Sequence, residues 1–157
     1  MSYSLDATDL RILSLIQPNA ALTNNELAKK IGMAPSAVLE RVKKLEKKGI
    51  IEGYPARIKP EALGLKLLAF IFIKSGEGPG NAGVARQLAK IPEVMELHHI
   101  AGEDCYIAKV RVQDPLSLIH LMREKFGKIP NILSTKTTIV LETLKEDNQL
   151  PIPKKLK

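Results

Sequence analysis

A basic, amphipathic segment reads Pro35-Ser-Ala-Val-Leu-Glu-Arg-Val-Lys-Lys-Leu-Glu-Lys-Lys48. Its apolar residues Val38, Val42 and Leu45 recur at i, i+4 and i+7, which is the spacing of one buried helix face. Proline suits the first turn of a helix, and Gly49 follows the segment as a typical helix end. The spacing therefore predicts a helix with one buried face and one basic face.

The residues before this segment predict two further helices. Thr23 and Glu26 have the spacing of a capping box, in which each side chain accepts a hydrogen bond from a free amide at the helix start. Gly32 is the expected end of that short helix. Upstream, Asp6 has the position of an N-cap for a helix that ends before Pro18. Three helices with a tight turn between the second and third form the helix-turn-helix pattern.

Positive charge is concentrated on the third predicted helix. The 157 residues contain 24 Lys+Arg and 17 Asp+Glu, a net charge of +7. Residues 41–48 contain five basic residues and one acidic residue, an excess of four. Residues 1–60 contain ten basic and six acidic residues, so this helix accounts for their whole excess. The pattern favours DNA as a partner; the alternative is a solvated basic face of the kind many proteins carry.

The outward side chains of this helix are candidates to contact DNA in the major groove. Those near its start would meet base edges, and the lysines further along would meet phosphates. Arg41 is the one residue predicted to make a bidentate, fully charged contact to guanine. The predicted DNA-binding residues are Thr23, Ser36, Ala37, Glu40, Arg41, Lys43, Lys44 and Lys47.

The composition excludes several classes of protein. Hydrophobic residues make up 45% and charged residues 26%, which is globular composition rather than disorder. Aromatic residues account for 4%, which counts against stacking on single-stranded bases. Cys105, the single cysteine, can form neither an intramolecular disulfide nor a cysteine-rich zinc site. The apolar run 67–73 is far shorter than the ~20 residues of a membrane-spanning helix, so we expect a soluble, cytoplasmic protein with no membrane partner.

Beyond Pro60 the pattern changes to alternating strands and helices. The order β-α-β-β-α-β predicts a ferredoxin-like α+β domain after the winged helix-turn-helix. Both helices then cover one face of the sheet, and the other face favours self-association. The predicted strands cover residues 65–75, 94–101, 105–112 and 132–144. We expect a DNA-binding domain over 1–53, a strand-like linker over 54–64, an oligomerisation and effector domain over 65–147, and an extended tail over 148–157.

A set of motifs follows in one order along essentially the whole chain. It includes Leu10-Arg-Ile-Leu13, Val38-Leu-Glu-Arg-Val-Lys-Lys-Leu-Glu46, Ala101-Gly-Glu-Asp104, Tyr106-Ile-Ala-Lys-Val110 and Thr137-Thr-Ile-Val-Leu141. In this order the motifs resemble the Lrp/AsnC (feast/famine) family of transcription regulators. The resemblance implies a homodimer that assembles into tetramers or octamers, operator DNA bound by the first domain, and an amino-acid effector bound between subunits. It implies a regulator, with no enzymatic activity and no cofactor.

The resemblance also implies an effector pocket. The family uses the loop before the third strand and part of the final strand, which carries over to Ala101, Gly102, Glu103, Asp104, Tyr106, Thr135, Thr137 and Thr138. Members often carry an acid, which could receive a ligand ammonium, where this chain has Cys105. Asp104 or Glu103 are candidates to replace it. The alternative is a plain turn with solvated acids.

The three histidines raise an enzyme or metal alternative. His98 and His99 are neighbours on a predicted strand, so their side chains point to opposite faces and cannot share one metal ion unaided. His120 and Glu124 have a spacing that is common on exposed helices, and we expect neither a metal site nor a catalytic residue. Two alternative functions stay open: an enzyme on the same architecture, similar to sirohaem decarboxylases and using His98 or His99, and an oligomeric ligand-binding module that does not bind DNA.

Overall fold

The computed structural model describes residues 4–78 and 80–155. Its chain divides into two compact units, one formed by residues within 1–56 and 145–157, the other by residues within 57–144. The first unit contains helices α1 (Ala7–Ile16), α2 (Asn24–Ile31) and α3 (Pro35–Lys47). The second contains β1 (Leu67–Ser75), α4 (Gly83–Leu88), β2 (Val94–His99), β3 (Tyr106–Val112), α5 (Pro115–Glu124) and β4 (Ile132–Ile139). Residues 1–3 and 156–157 of the predicted first domain and tail lie outside the described residues.

Local capping signals set the limits of the first two helices. Asp6 and Asp9 form a capping box at the start of α1, and Thr23 and Glu26 form one at the start of α2. Gly32 ends α2 with a φ of 80°, a left-handed conformation that glycine adopts without a steric penalty. The three helices and the tight turn before α3 confirm the predicted helix-turn-helix.

The three helices share one apolar core. Ile12 of α1, Leu27 of α2, and Val38 and Leu45 of α3 are fully or almost fully buried. The cluster also includes Val42, so the predicted apolar face of α3 is the buried one. Burial of these side chains leaves the opposite face of α3 exposed to solvent.

The segment after α3 differs from the prediction. Residues 50–59 form no strand, and Pro60–Leu63 form a short 3-10 helix within the predicted strand-like linker. A strand requires a hydrogen-bonded neighbour, and the described residues of the first unit contain no other strand. Pro55 also lacks the N–H that a strand would use.

The second unit contains a four-stranded antiparallel sheet in the order β2-β3-β1-β4. Ala69, Ile71 and Ile73 of β1 are buried in one cluster with Val84 of α4 and Leu118 of α5. Both helices therefore pack on the same face of the sheet, as predicted for the ferredoxin-like arrangement.

Two strands end earlier than predicted. β4 ends at Ile139 instead of residue 144, and β2 ends at His99 instead of residue 101. Ile139 is paired with Ala69, and only the Val140 N–H bond to the Leu68 carbonyl follows. Only Leu67 of β1 lies beyond that point, so β1 has no residues in register with 142–144.

Since α4 and α5 both pack on one face of the sheet, neither of them covers the second face, which we call the open face. Phe70 and Phe72 of β1 and Ile107 of β3 lie on it and are half-buried. His98 pairs with Ile107 and lies on the open face, whereas His99 pairs with Tyr106 and lies on the helix-covered face. The predicted separation of the two histidines is confirmed.

Residues 145–155, which include the described part of the predicted extended tail, belong to the first compact unit. The Gln17 side-chain amide donates to the Leu150 carbonyl at 2.8 Å, and the Leu150 N–H donates to Gln17 Oε1 at 2.9 Å. One glutamine at the end of α1 therefore satisfies both backbone groups of Leu150.

Within residues 4–78 and 80–155, no helix is long and apolar enough to cross a membrane.

Tyr54 connects the segment 50–59, which forms no helix or strand, to α3. Its hydroxyl donates a 2.7 Å hydrogen bond to Glu46 Oε1. Burial, and then the hydrogen bond to Glu46, raise the pKa of Tyr54 to about 12. The folded protein therefore favours the neutral phenol, and this contribution to stability is complete below pH ~10, the ordinary tyrosine pKa. It is lost as the pH rises toward the folded pKa.

We expect alkaline titration of the folded protein, followed by phenolate absorbance, to show one tyrosine that ionises near pH 12. The Tyr54→Phe variant should lack this step. Glu46→Ala should lower its pKa, because it removes the carboxylate that accepts the hydrogen bond of the Tyr54 hydroxyl. A titration curve unchanged by Tyr54→Phe would contradict the assignment.

Candidate DNA interface and effector loop

The exposed face of α3 carries most of the predicted DNA-binding residues. Ser36, Glu40 and Lys43 are exposed, as are Lys44 and Lys47 further along the helix. Leu39 is 37% exposed and lies among them, although it is not in the predicted set. Because Val38, Val42 and Leu45 hold the opposite face in the core, these polar side chains all point away from the unit.

Arg41 lies at the edge of this face and is engaged within the unit. Its Nη1 atom is 2.8 Å from Asp6 Oδ2 and 2.8 Å from Asp9 Oδ1. Its side chain is 31% exposed, and Ala37, one turn earlier, is half-buried. Its guanidinium joins α3 to the start of α1, so the predicted contact of Arg41 to guanine would have to compete with these two ion pairs.

The two carboxylates explain why Arg41 is held there. The Asp9 side chain is 1% exposed, and a buried carboxylate needs compensating donors. It receives hydrogen bonds from the Asp6 N–H at 3.2 Å and from Arg41 at 2.8 Å. The Asp9 N–H, and then Arg41, hold the pKa of Asp6 below its usual value. In return, Asp6 and Asp9 raise the pKa of Arg41.

A second arginine attaches α1 to α2. Arg11 donates from Nη2 to the Lys30 carbonyl at 3.1 Å and from Nη1 to the Ile31 carbonyl at 3.4 Å. These carbonyls lie at the end of α2, where a positive charge complements the helix dipole. Sequence reasoning missed this contact, which joins residues 19 and 20 positions apart.

Thr23 is exposed, but its hydroxyl is used locally. Its Oγ1 accepts from the Glu26 N–H at 3.2 Å and donates to Glu26 Oε2 at 2.8 Å. The Thr23 N–H, which donates to Glu26 Oε2 at 2.7 Å, and then the Thr23 hydroxyl hold the pKa of Glu26 below its usual value. Thr23 therefore fixes the start of α2, and a phosphate contact there would compete with the capping box.

The predicted effector loop is a short closed turn between β2 and β3. The Ile100 N–H donates to the Cys105 carbonyl at 2.9 Å, and the Cys105 N–H donates to the Ile73 carbonyl at 2.9 Å. Gly102 has a φ of 146°, where a side chain would be strained. These bonds fix the loop on the end of β1.

The acids and the cysteine of this loop differ in their surroundings. Asp104 is 26% exposed, and its Oδ2 is 3.9 Å from Lys136 Nζ, while Glu103 is exposed. The Cys105 Sγ accepts a contact from the Ser75 N–H at 3.4 Å and donates to the Ser75 carbonyl at 3.7 Å. Cys105 is thus directed at β1, and the acids are the groups of the loop that can receive an ammonium.

The predicted effector residues lie on two faces of the sheet. Thr135 and Thr137 pair with Ile73 and Ile71, and so share the helix-covered face with Tyr106. Thr138 pairs with Phe70 and lies on the open face. Tyr106 is 7% exposed, with its ring centroid 5.1 Å from that of His99. The structure therefore groups Thr135 and Thr137 on one face and separates Thr138 from them.

The described residues contain no group of three or more His, Cys, Asp or Glu side chains that could hold a metal ion. His98 Nε2 is 3.6 Å from Glu96 Oε2 on the open face, where Lys109 Nζ also contacts Glu96 at 3.0 Å. His120 is exposed on α5. The histidines therefore lie apart in ordinary surface positions.

Comparison with known proteins matches two family models and full-length relatives. Residues 68–150 match the Lrp/AsnC ligand binding domain, and residues 5–52 match a winged helix-turn-helix DNA-binding domain. The transcriptional regulator FL11 of Pyrococcus abyssi is 39% identical over 152 residues, covering 97% of this chain and 99% of its own length.

Two solved structures are similar over nearly their whole length. A transcriptional regulator of Neisseria meningitidis in complex with L-Met has a TM-score of 0.88 at 31% identity, covering 94% of this chain and 97% of its own. A feast or famine regulatory protein of Mycobacterium tuberculosis complexed with L-methionine has a TM-score of 0.87 at 35% identity, covering 96% of this chain and 100% of its own.

We expect Arg41→Ala to lower the free energy of unfolding of the first unit by roughly 2 kcal/mol, because it leaves the buried Asp9 carboxylate without its cation. Urea unfolding followed by circular dichroism measures this change. Lys43→Ala removes the same charge from the exposed face of α3 and should change stability by less than about 0.5 kcal/mol.

The double variant Asp9→Asn, Arg41→Ala provides the second arm of this test. It removes the buried charge together with its partner, so it should be more stable than Arg41→Ala alone. Equal stability of Arg41→Ala and Lys43→Ala would show that the ion pair does not hold α3 on α1.

Proposed function

The chain belongs to the Lrp/AsnC family of transcriptional regulators and is a DNA-binding regulator with a helix-turn-helix; from this premise we propose how it reads DNA, assembles and responds to an effector. The observation that carries the proposal is the exposed polar face of α3, held on a rigid three-helix unit. We propose a DNA-binding domain over 1–53, a linker over 54–64 and an oligomerisation and effector domain over 65–147.

Base recognition falls to the first turns of α3 once Arg41 is committed to Asp6 and Asp9. Ser36, Glu40 and Lys43 present hydrogen-bonding groups that suit base edges in the major groove: a carboxylate can accept from cytosine, and an ammonium can donate to guanine. Lys44 and Lys47, further along the helix, suit phosphate contacts. Ala37 and Thr23 would then support the interface at its edge.

The open face of the sheet supports self-association. Half-buried Phe70, Phe72 and Ile107 lie there without a covering helix. Packing this face against a second copy would remove apolar surface from water and place two copies of α3 in a symmetric pair. A symmetric dimer binds a pseudo-palindromic operator, with half-sites about one helical turn apart. Tetramers or octamers of such dimers are part of this proposal.

An amino acid is the effector we propose, since the two solved relatives were obtained with L-methionine. Glu103 and Asp104 are the candidates for its ammonium, because Cys105 is directed at Ser75. Ala101, Gly102, Thr135, Thr137 and Tyr106 remain part of the proposed site, whereas Thr138 lies on the other face. Such a ligand shifts assembly or DNA affinity only by its differential affinity for the two states.

We further propose that the protein works in the cytoplasm, where it meets DNA, without a catalytic role, cofactor or metal. The selection experiment below tests the proposal against two alternatives. One is an enzyme similar to sirohaem decarboxylases, and the other is a ligand-binding module that does not bind DNA. Retention of DNA binding separates the regulator from both.

We expect selection from a random duplex pool to enrich a two-fold-symmetric motif. Salt is held at ~0.1 M, since phosphate contacts make affinity steeply salt-dependent. The selection is run with and without L-methionine and then with the other amino acids. A change in affinity or spacing with one amino acid supports the effector proposal, binding without an enriched motif contradicts sequence-specific reading, and no binding contradicts the DNA role.

Variants of α3 should separate base reading from phosphate contact. Glu40→Ala or Lys43→Ala should change the preferred base at one position of each half-site, by roughly 1–3 kcal/mol of discrimination. Lys47→Ala should weaken binding to all sequences alike and lower the salt slope by about one. If Glu40→Ala and Lys43→Ala leave the enriched motif unchanged, the proposed reading residues are wrong.

A further inference from the structure

The segment 145–155 joins the first unit from the far end of the chain. Its anchor is the pair of hydrogen bonds between the Gln17 side chain and the backbone of Leu150, at 2.8 and 2.9 Å. Ile152, two residues on, is half-buried, although its neighbours are exposed. The two hydrogen bonds therefore hold the segment at the end of α1, and Ile152 is partly shielded from solvent.

The residues after the anchor carry positive charge. Lys154 and Lys155 are exposed, and neither forms an ion pair with any part of the chain that the structure describes. Pro151 and Pro153 restrict the backbone between the anchor and the lysines, which lowers the entropy lost when the lysines bind a partner. These two ammonium groups are exposed to an anionic partner, and the prolines lower the backbone part of the entropy cost of binding.

The anchor lies beside the helix-turn-helix. Gln17 is the C-cap of α1 and lies six positions before Thr23, where α2 begins. The connecting loop is folded back by bonds from the Asn19 N–H to the Ile16 carbonyl and from the Leu22 N–H to the Asn19 carbonyl. Lys154 is four residues from Leu150, a reach of at most ~14 Å. The lysines are thus confined to the surroundings of the three-helix unit.

We propose that residues 150–155 form an additional part of the DNA interface, in which Lys154 and Lys155 contact phosphates that flank the bases read by α3. The inference rests on the proposed DNA reading by α3. It assigns to this segment a sequence-independent contribution to affinity, because phosphate contacts carry no base information.

The test compares salt dependence for the full chain and its variants on one duplex of random sequence. Lys154→Ala, Lys155→Ala in one chain should reduce the slope of log Kobs against log[salt] by about 2, since each phosphate contact contributes ~0.9. Affinity at ~0.1 M salt should fall at least about tenfold. The matched control is Lys90→Ala, Lys128→Ala, which removes two exposed lysines of the second unit and should leave the slope unchanged.

A second variant tests the anchor. Gln17→Ala keeps both lysines but removes both hydrogen bonds, so it should speed hydrogen exchange of the Leu150 amide and weaken DNA binding severalfold. An amide of Leu150 that exchanges as in the parent protein would overturn the anchoring.

The outcomes separate this inference from the proposed function. If the parent protein has no affinity for duplex DNA, the proposed function fails and this inference with it. If the parent binds DNA and the slope is unchanged in Lys154→Ala, Lys155→Ala, or falls equally in the control, this inference alone fails.

Discussion

The buried carboxylate of Asp9 determines how the helices of the first unit fit together. Its side chain is 1% exposed, so its charge must be compensated inside the unit. Arg41 supplies the cation from α3, and the Asp6 N–H supplies a donor from the start of α1. Arg11 joins α1 to the end of α2, and Arg41 joins α1 to α3, so these contacts oppose a rotation of α3 about its own axis. The buried contacts therefore determine which face of α3 stays exposed and which side chains it presents.

The ion pairs of Arg41 with Asp6 and Asp9 also determine which side chains remain available on the exposed face of α3. Arg41 would be the strongest base-reading group on α3 if it were free, yet it stabilises the unit from the flank of the exposed face. The face that remains combines a carboxylate, a hydroxyl and ammonium groups. The residue that stabilises the unit and the residues that we propose to contact DNA thus lie within two turns of one another on a single helix.

Short-range signals account for what the sequence could predict. Residues near one another in the sequence determine the caps at Asp6 and Thr23, the helix end at Gly32 and the apolar spacing of α3. They also determine the order in which strands and helices follow along the chain. The Arg41 ion pairs join residues 35 and 32 positions apart, and periodicity carries no information on such partners. The end of β4 depends on where β1 begins. Alternation alone places Thr137 and Thr138 on opposite faces, but their register with β1 is needed to say which face the helices cover.

The bond between Gln17 and Leu150 spans 133 residues and has a consequence for biosynthesis. The three helices all lie within residues 7–47 and can form while the ribosome is still making the second unit. The segment that completes the first unit emerges only after β4 has been synthesised. A nascent or prematurely terminated chain can therefore carry a folded helix-turn-helix without residues 145–155. The first unit gains these residues only after β4 has been synthesised.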